Sequence, residues 1–275
     1  GVRSFADIVE QDRLEGIDIC SAPVRITICQ YAPGKHAMLL SFHHIVFDGW
    51  SSGILLNEFL SKYYALAEGD GNTVVTKTKF KEYIKWLQAR VQNTQKDFWS
   101  LYLEGFDTKT NLAEDYRKAY PTRNVESFQY KLDNHLQKQA MDFTVAHGIT
   151  LASLIYSAWG ILLQRYNNTN DVVFGTTVSG RPPEIKGIAN MVGLFINTLP
   201  LRIIAEHGEN AVSLCKKVYS DLKVIEQYSH VPLVDIKKYA GFNKAGDLFN
   251  TIVVIDNYPL NKKLDQGNTK LIIDS

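Results

Sequence analysis

Cysteine is scarce: Cys20, Cys29 and Cys215 are the three in 275 residues, odd in number and at no C-x-x-C spacing. That excludes a disulfide framework and argues against a zinc site, and it fits a reducing, cytoplasmic setting. Long apolar runs are absent too. Nothing approaches the roughly 18 residues of a membrane span, and the N-terminus has no basic-then-apolar leader pattern, so no membrane association is expected. Charge of one sign is also missing, with 30 Lys and Arg against 29 Asp and Glu, a net charge of +1. No whole-protein field advertises nucleic acid as a partner.

What is present describes a packed domain. Hydrophobic residues make up 45% and charged ones 21% of the chain, ordinary values for a globular protein. The sequence starts at Gly1 rather than Met and ends in the apolar "KLIIDS", so a piece of a longer polypeptide is expected.

The segment 23–31, "PVRITICQY", alternates and is β-branched, Pro33 and Gly34 make a turn, and 36–44, "HAMLLSFHH", is again strand-like. Together they read as a β-hairpin. From Trp50 to about Ala67 the apolar period becomes helical. Helices follow around Phe80–Arg90 and Gln95–Leu103. The polar stretch 104–124 lacks a period and reads as a linker, which places a boundary there: residues 1–106 in one lobe and 107–275 in the other. Beyond it the reading is a strand over 125–133, a helix closed by Gly148, and a helix over 150–166 that is apolar nearly all round and therefore buried. Then come strands in "DVVFGTTVSGRPP" and "GLFINTLPLRI", a helix over 209–228 and a late strand in "LFNTIVVIDNYP". The mixture makes the fold class α/β or α+β.

The chemistry concentrates in "SFHHIVFDGW", residues 41–50. Adjacent residues on an extended strand point to opposite faces, so one of His43 and His44 faces packing while the other is available. An imidazole can take a proton from an amine or hydroxyl as a carbonyl is attacked. Asp48 sits where a carboxylate braces the turn into the helix, and Gly49 permits a sharp turn. The residues alone leave other readings open. The histidine can be a satisfied structural residue and Asp-Gly an ordinary turn; a metal reading is weaker, with no third ligand nearby.

As a whole string, "HHIVFDGWS" resembles the HHxxxDGxS signature of condensation domains of nonribosomal peptide synthetases, which belong with the chloramphenicol acetyltransferase-like acyltransferases. "FKEYIKW" (80–86), "VSGRPPEIKGIANMVGLFINTLPLR" (178–202), "HVPLVDI" (230–236) and "LFNTIVVIDNYP" resemble further motifs of that family, in order, across nearly the whole chain. The resemblance implies two related lobes with mixed sheets and flanking helices, and a tunnel between them reached by phosphopantetheine arms of carrier domains. An upstream carrier brings a donor acyl or peptidyl thioester and a downstream one an acceptor aminoacyl thioester. The acceptor amine attacks the donor carbonyl and an amide forms. No cofactor is implied for the domain itself, and an adenylation domain is expected as a neighbour.

By position in the motif, His44 is implied at the reacting centre, His43 as its more buried companion and Asp48 as a structural brace. The Gly49 N–H is a candidate oxyanion donor, and Ser51, Asn197 and Thr198 are tunnel candidates. The family's two earliest motifs, one of them an arginine-rich stretch that pairs with the motif aspartate, have no counterpart here, nor do its final strands and helix. The first lobe is thus expected to be incomplete. Arg25 is the nearby candidate partner for Asp48. Were Asp48 buried without one, the cost would be a few kcal/mol, and the chain alone would be poorly stable and inactive. Retention of both histidines disfavours heterocyclisation, and Gly49-Trp50-Ser51 disfavours epimerisation. The segments 48–66 and 254–260 resemble the subtype taking a donor that ends in a D-residue. Rival readings are a coenzyme A-dependent acyltransferase of the same superfamily and a noncatalytic scaffold that recruits a partner enzyme.

Overall fold

The computed structural model describes residues 4–69, 76–90, 92–107, 110–112, 126–242 and 247–256. They fall into two compact units interleaved in sequence. One combines Gly1–Trp86 with Arg181–Phe195, and the other combines Leu87–Gly180 with Ile196–Asp256. A single cut after residue 106 does not reproduce these units. The helix around Trp99 and Leu103 packs into the second unit's core, while the loop following Gly180 packs into the first.

The first unit opens with α1 (Phe5–Glu15), a helix that the apolar periodicity does not reveal. Its start is fixed by a capping box, in which the Ser4 side chain accepts from the Asp7 N–H and the Asp7 side chain accepts from the Ser4 N–H. No residue of the helix is fully buried, and its half-buried face is short, with Phe5, Ile8 and Val9 followed by the charged Asp12, so the apolar period does not continue past the first turns. β1 (Val24–Ala32) and β2 (Lys35–Phe42) form the expected antiparallel hairpin, pairing Val24 with Phe42, Ile26 with Leu40 and Ile28 with Met38. The partly buried face carries Arg25 opposite Ser41, and both bond to Asp12 of α1. α2 (Gly49–Ala67) follows, capped by Asp48, whose side chain accepts from the Ser51 N–H. α3 (Phe80–Gln88) contributes Tyr83 to a small core with Ile188, Met191 and Phe195.

The second unit holds α4 (Gln92–Tyr102), α5 (Asn134–His147), α6 (Leu151–Asn167), β3 (Asp171–Val178), β4 (Asn197–Ile204), α7 (Ala211–Gln227), α8 (Leu233–Tyr239) and the two-residue β5 (Ile252–Val253). Its sheet has the order β4-β3-β5, antiparallel then parallel. Val172, Val173 and Phe174 are consecutive on β3 and all buried. Successive strand residues point to opposite faces, so this sheet is covered on both sides. One face meets α6: the Tyr156 hydroxyl bonds to the Thr176 hydroxyl, and a Cβ added to Gly160 would come within 2.8 Å of Ile203. The other face carries Arg202, which forks onto Asp171 at 2.9 and 2.7 Å and also donates to the Tyr102 and Glu104 carbonyls at the end of α4.

Three expectations change. Residues 126–133 form no strand: Phe128 is 89% and Tyr130 76% exposed. Alternation codes for a strand only when another edge is there to complete the ladder. Helix α6 is not buried all round, since Leu151, Ile155, Leu162 and Tyr166 are exposed along one side while Tyr156, Gly160 and Leu163 are buried on the other. The late strand shrinks to Ile252–Val253, and residues 257–259 of that stretch lie outside the described residues, as do most of 104–124.

Candidate functional site

The histidines do not lie on the strand. β2 ends at Phe42, so alternation no longer governs His43 and His44, and local hydrogen bonds do. The His43 N–H donates to the Pro23 carbonyl at 2.9 Å, the His43 carbonyl accepts from the Val46 N–H at 3.1 Å, and its Nδ1 accepts from the Ile45 N–H at 3.1 Å. With Nδ1 as acceptor, a neutral His43 ring carries its proton on Nε2. The ring is held by its own turn. The expected burial of His43 is not found, because both imidazoles are exposed. Engagement distinguishes them: among the described residues His44 makes no hydrogen bond or ion pair, and its ring stands open to solvent.

Four residues later the exposed turn meets a buried anchor. Asp48 Oδ1 accepts from the Ser51 N–H at 2.8 Å and from Arg181 Nη2 at 3.2 Å, and Oδ2 accepts from the Phe195 N–H at 3.0 Å. Arg181 also donates through Nη1 to the Ile188 and Met191 carbonyls, both at 2.8 Å, and through Nη2 to Ser51 Oγ at 2.9 Å. Its guanidinium lies 4.0 Å from the Phe195 ring centroid. Burial holds its pKa below the ordinary arginine value, against the opposing pull of Asp48. The ion pair is 6% exposed at Arg181 and 4% at Asp48, so its charges are stable only because both are extensively bonded.

Arg25 is therefore not the partner of Asp48. It is committed to Asp12 at 2.7 Å and Glu15 at 3.2 Å, and it ties α1 to the hairpin. The ground for expecting an unpaired, destabilising Asp48 falls with it. Arg181 stands inside "VSGRPP", where the sequence does not single it out as a site residue. An isolated arginine among Gly, Pro and apolar residues is the available signal, but nothing local says that it folds back 133 positions onto Asp48.

Ser51 is fully buried. Its hydroxyl donates to the Gly193 carbonyl at 2.8 Å and accepts from the Gly193 N–H at 3.1 Å and from Arg181. One donor and two acceptor sites are all a hydroxyl has, so Ser51 offers nothing to a tunnel. Trp50 Nε1 donates to the Ala189 carbonyl at 3.0 Å. Gly49 opens α2, where first-turn N–H groups have no intrahelical acceptor. Asn197 and Thr198 belong to the second unit. Asn197 Nδ2 donates to the Ser229 and Val231 carbonyls at 2.8 and 2.7 Å, and its Oδ1 accepts from the Thr198 N–H at 2.9 Å. Asn197 thus fastens the start of β4 to the chain ahead of α8, and Thr198 pairs with Thr177 in the ladder. Among the described residues no group of three or more His, Cys, Asp or Glu could hold a metal ion, and no single helix is long and apolar enough to cross a membrane.

The family model described as the condensation domain matches residues 3–273. Gramicidin S synthase 2 of Brevibacillus brevis is 34% identical over 262 residues, 94% of this chain and 6% of that protein. Surfactin synthase subunit 3 of Bacillus subtilis is 34% identical over 252 residues, 91% of this chain and 20% of that protein. The chain thus spans a fifth or less of the length of either relative. The crystal structure of the X-domain from teicoplanin biosynthesis superposes with a TM-score of 0.75 at 21% identity, covering 91% of this chain and 59% of that one. At that identity the likeness establishes the fold.

Proposed function

Because the chain belongs to the condensation-domain family, we propose that it forms amide bonds between two carrier-borne thioesters in nonribosomal peptide synthesis, with His44 at the reacting centre. The observation that carries this is the contrast inside one motif: an open, unengaged imidazole stands four residues from an aspartate buried and bonded from three sides.

The chemistry follows. The acceptor's α-amine attacks the donor carbonyl, and the C–N bond forms as the carbonyl becomes an oxyanion. His44 accepts a proton from the attacking nitrogen, a role worth on the order of 10²–10⁴ in rate. The oxyanion collapses, the C–S bond breaks, and the leaving phosphopantetheine thiolate takes the proton from His44. The Gly49 N–H, at the positive end of α2, is the proposed donor to the oxyanion. Because a thioester is already activated, bringing two tethered substrates together supplies a large share of the acceleration.

The partners are a donor carrier upstream, an acceptor carrier downstream and an adjacent adenylation domain, in a cytoplasmic synthetase. The domain itself needs no cofactor beyond the carriers' phosphopantetheine arms. The test is His44→Ala with two loaded carriers, scored as amide product by mass spectrometry. A loss of about 10²-fold or more is expected, and undiminished product would remove His44 from the chemistry.

A further inference from the structure

The tetrapeptide Asp48-Gly49-Trp50-Ser51 does more than start a helix. Arg181–Phe195 is flanked on both sides in sequence by residues of the second unit, yet it packs within the first. It is held there by a series of bonds from α2's first turn and its neighbours. Trp50 Nε1 donates to the Ala189 carbonyl, Ser51 Oγ engages both the N–H and the carbonyl of Gly193, and Asp48 accepts from the Phe195 N–H. The Asp48 N–H adds a second donor to the Gly193 carbonyl at 3.3 Å. Position 193 is also closed to a side chain from the α3 side, since an added Cβ would come within 2.1 Å of the Phe80 ring.

We propose that Trp50 and Ser51 are positioning residues for amide formation, clamping Arg181–Phe195 against the turn that carries His44. The inference rests on the function proposed above. Neither side chain is bonded to His44. They act through the buried anchor at Asp48: the clamped segment supplies Arg181 and the Phe195 N–H, and these immobilise Asp48 at the end of the turn that begins with His43. A displacement of about 1 Å at a reacting group can cost on the order of 10²-fold in rate.

The experiment compares Trp50→Phe, Ser51→Ala and His44→Ala in the full chain with two loaded carriers, together with hydrogen exchange at the Gly193 and Phe195 amides. Trp50→Phe keeps a ring at a partly exposed site and removes one donor, so it reports even where Ser51→Ala folds poorly. The expected result is kcat lower by about 10–100-fold in both clamp variants, with KM within about twofold. In Ser51→Ala, exchange at the Gly193 amide should accelerate. Wild-type kcat in Trp50→Phe, or a fall in activity appearing wholly in KM, overturns the inference. If His44→Ala loses activity while both clamp variants keep it, only the clamp fails. If His44→Ala is fully active, the proposed reaction centre itself is wrong.

Discussion

Replacing Arg181 with methionine probes the anchor most directly. Methionine fills similar volume without a donor, so the variant removes four hydrogen bonds: two to the Ile188 and Met191 carbonyls, one to Asp48 and one to Ser51. Asp48 keeps the Ser51 and Phe195 N–H groups, so its charge is not left bare, but its paired cation is gone. Breaking a buried ion pair from one side costs about 3–5 kcal/mol. Hydrogen exchange read by mass spectrometry localises this loss, because peptides over 47–53 and 187–195 report on the first unit and those over β3 on the second. A loss of about 3 kcal/mol or more accelerates exchange through opening by about 10²-fold, and that is expected at the anchor with β3 unchanged. Combining Arg181→Met with Asp48→Asn should cost less than the sum of the two, by about 1–3 kcal/mol, since each single change already breaks the pair. Strict additivity, or acceleration below about tenfold in Arg181→Met, would refute the argument that this pair holds the turn.

Two further outcomes follow from other parts of the chain. Hydrogen bonds from Arg25, then Ser41, hold the Asp12 carboxyl below its ordinary pKa. A depressed acid contributes stability that is complete above the unfolded value, about 3.9, and is lost as pH falls through the folded value. The contact of α1 with the hairpin should therefore loosen below about pH 4 and not at neutral pH, read by NMR titration of the Asp12 and Ser41 signals; Asp12→Asn should abolish the step. Gly148 closes α5 at φ +63° with open space where a Cβ would stand. Gly148→Ala should accordingly cost about 1 kcal/mol from backbone strain alone, measured by urea denaturation. A cost above about 3 kcal/mol would mean that contacts are lost as well.

Much of the local structure is legible from residue order. The β1–β2 hairpin and helices α2 to α7 lie close to where periodicity, turn residues and caps place them, because those signals act within a few residues of the chain. The segment 126–133 and the late strand show where that logic stops, since a strand exists only with a neighbour and the choice of neighbour is not local. Helix α1 escapes for a different reason: its half-buried face holds three apolar residues, Phe5, Ile8 and Val9, and then Asp12, whose bonds to Arg25 and Ser41 on the hairpin are not legible in the local period.

The same division runs through the site. Sequence alone determined that two histidines, an aspartate and a glycine stand at a strand-to-helix turn, and the motif string pointed to its family. Only tertiary structure decided that Asp48 is bound by Arg181 rather than Arg25, that Ser51 faces Gly193 rather than open space, and that Arg181–Phe195 belongs with the first unit. Helical and turn signals depend on separations of two to four positions, whereas this ion pair closes across 133. Which of several arginines reaches a given carboxylate is settled by the packing that brings them together.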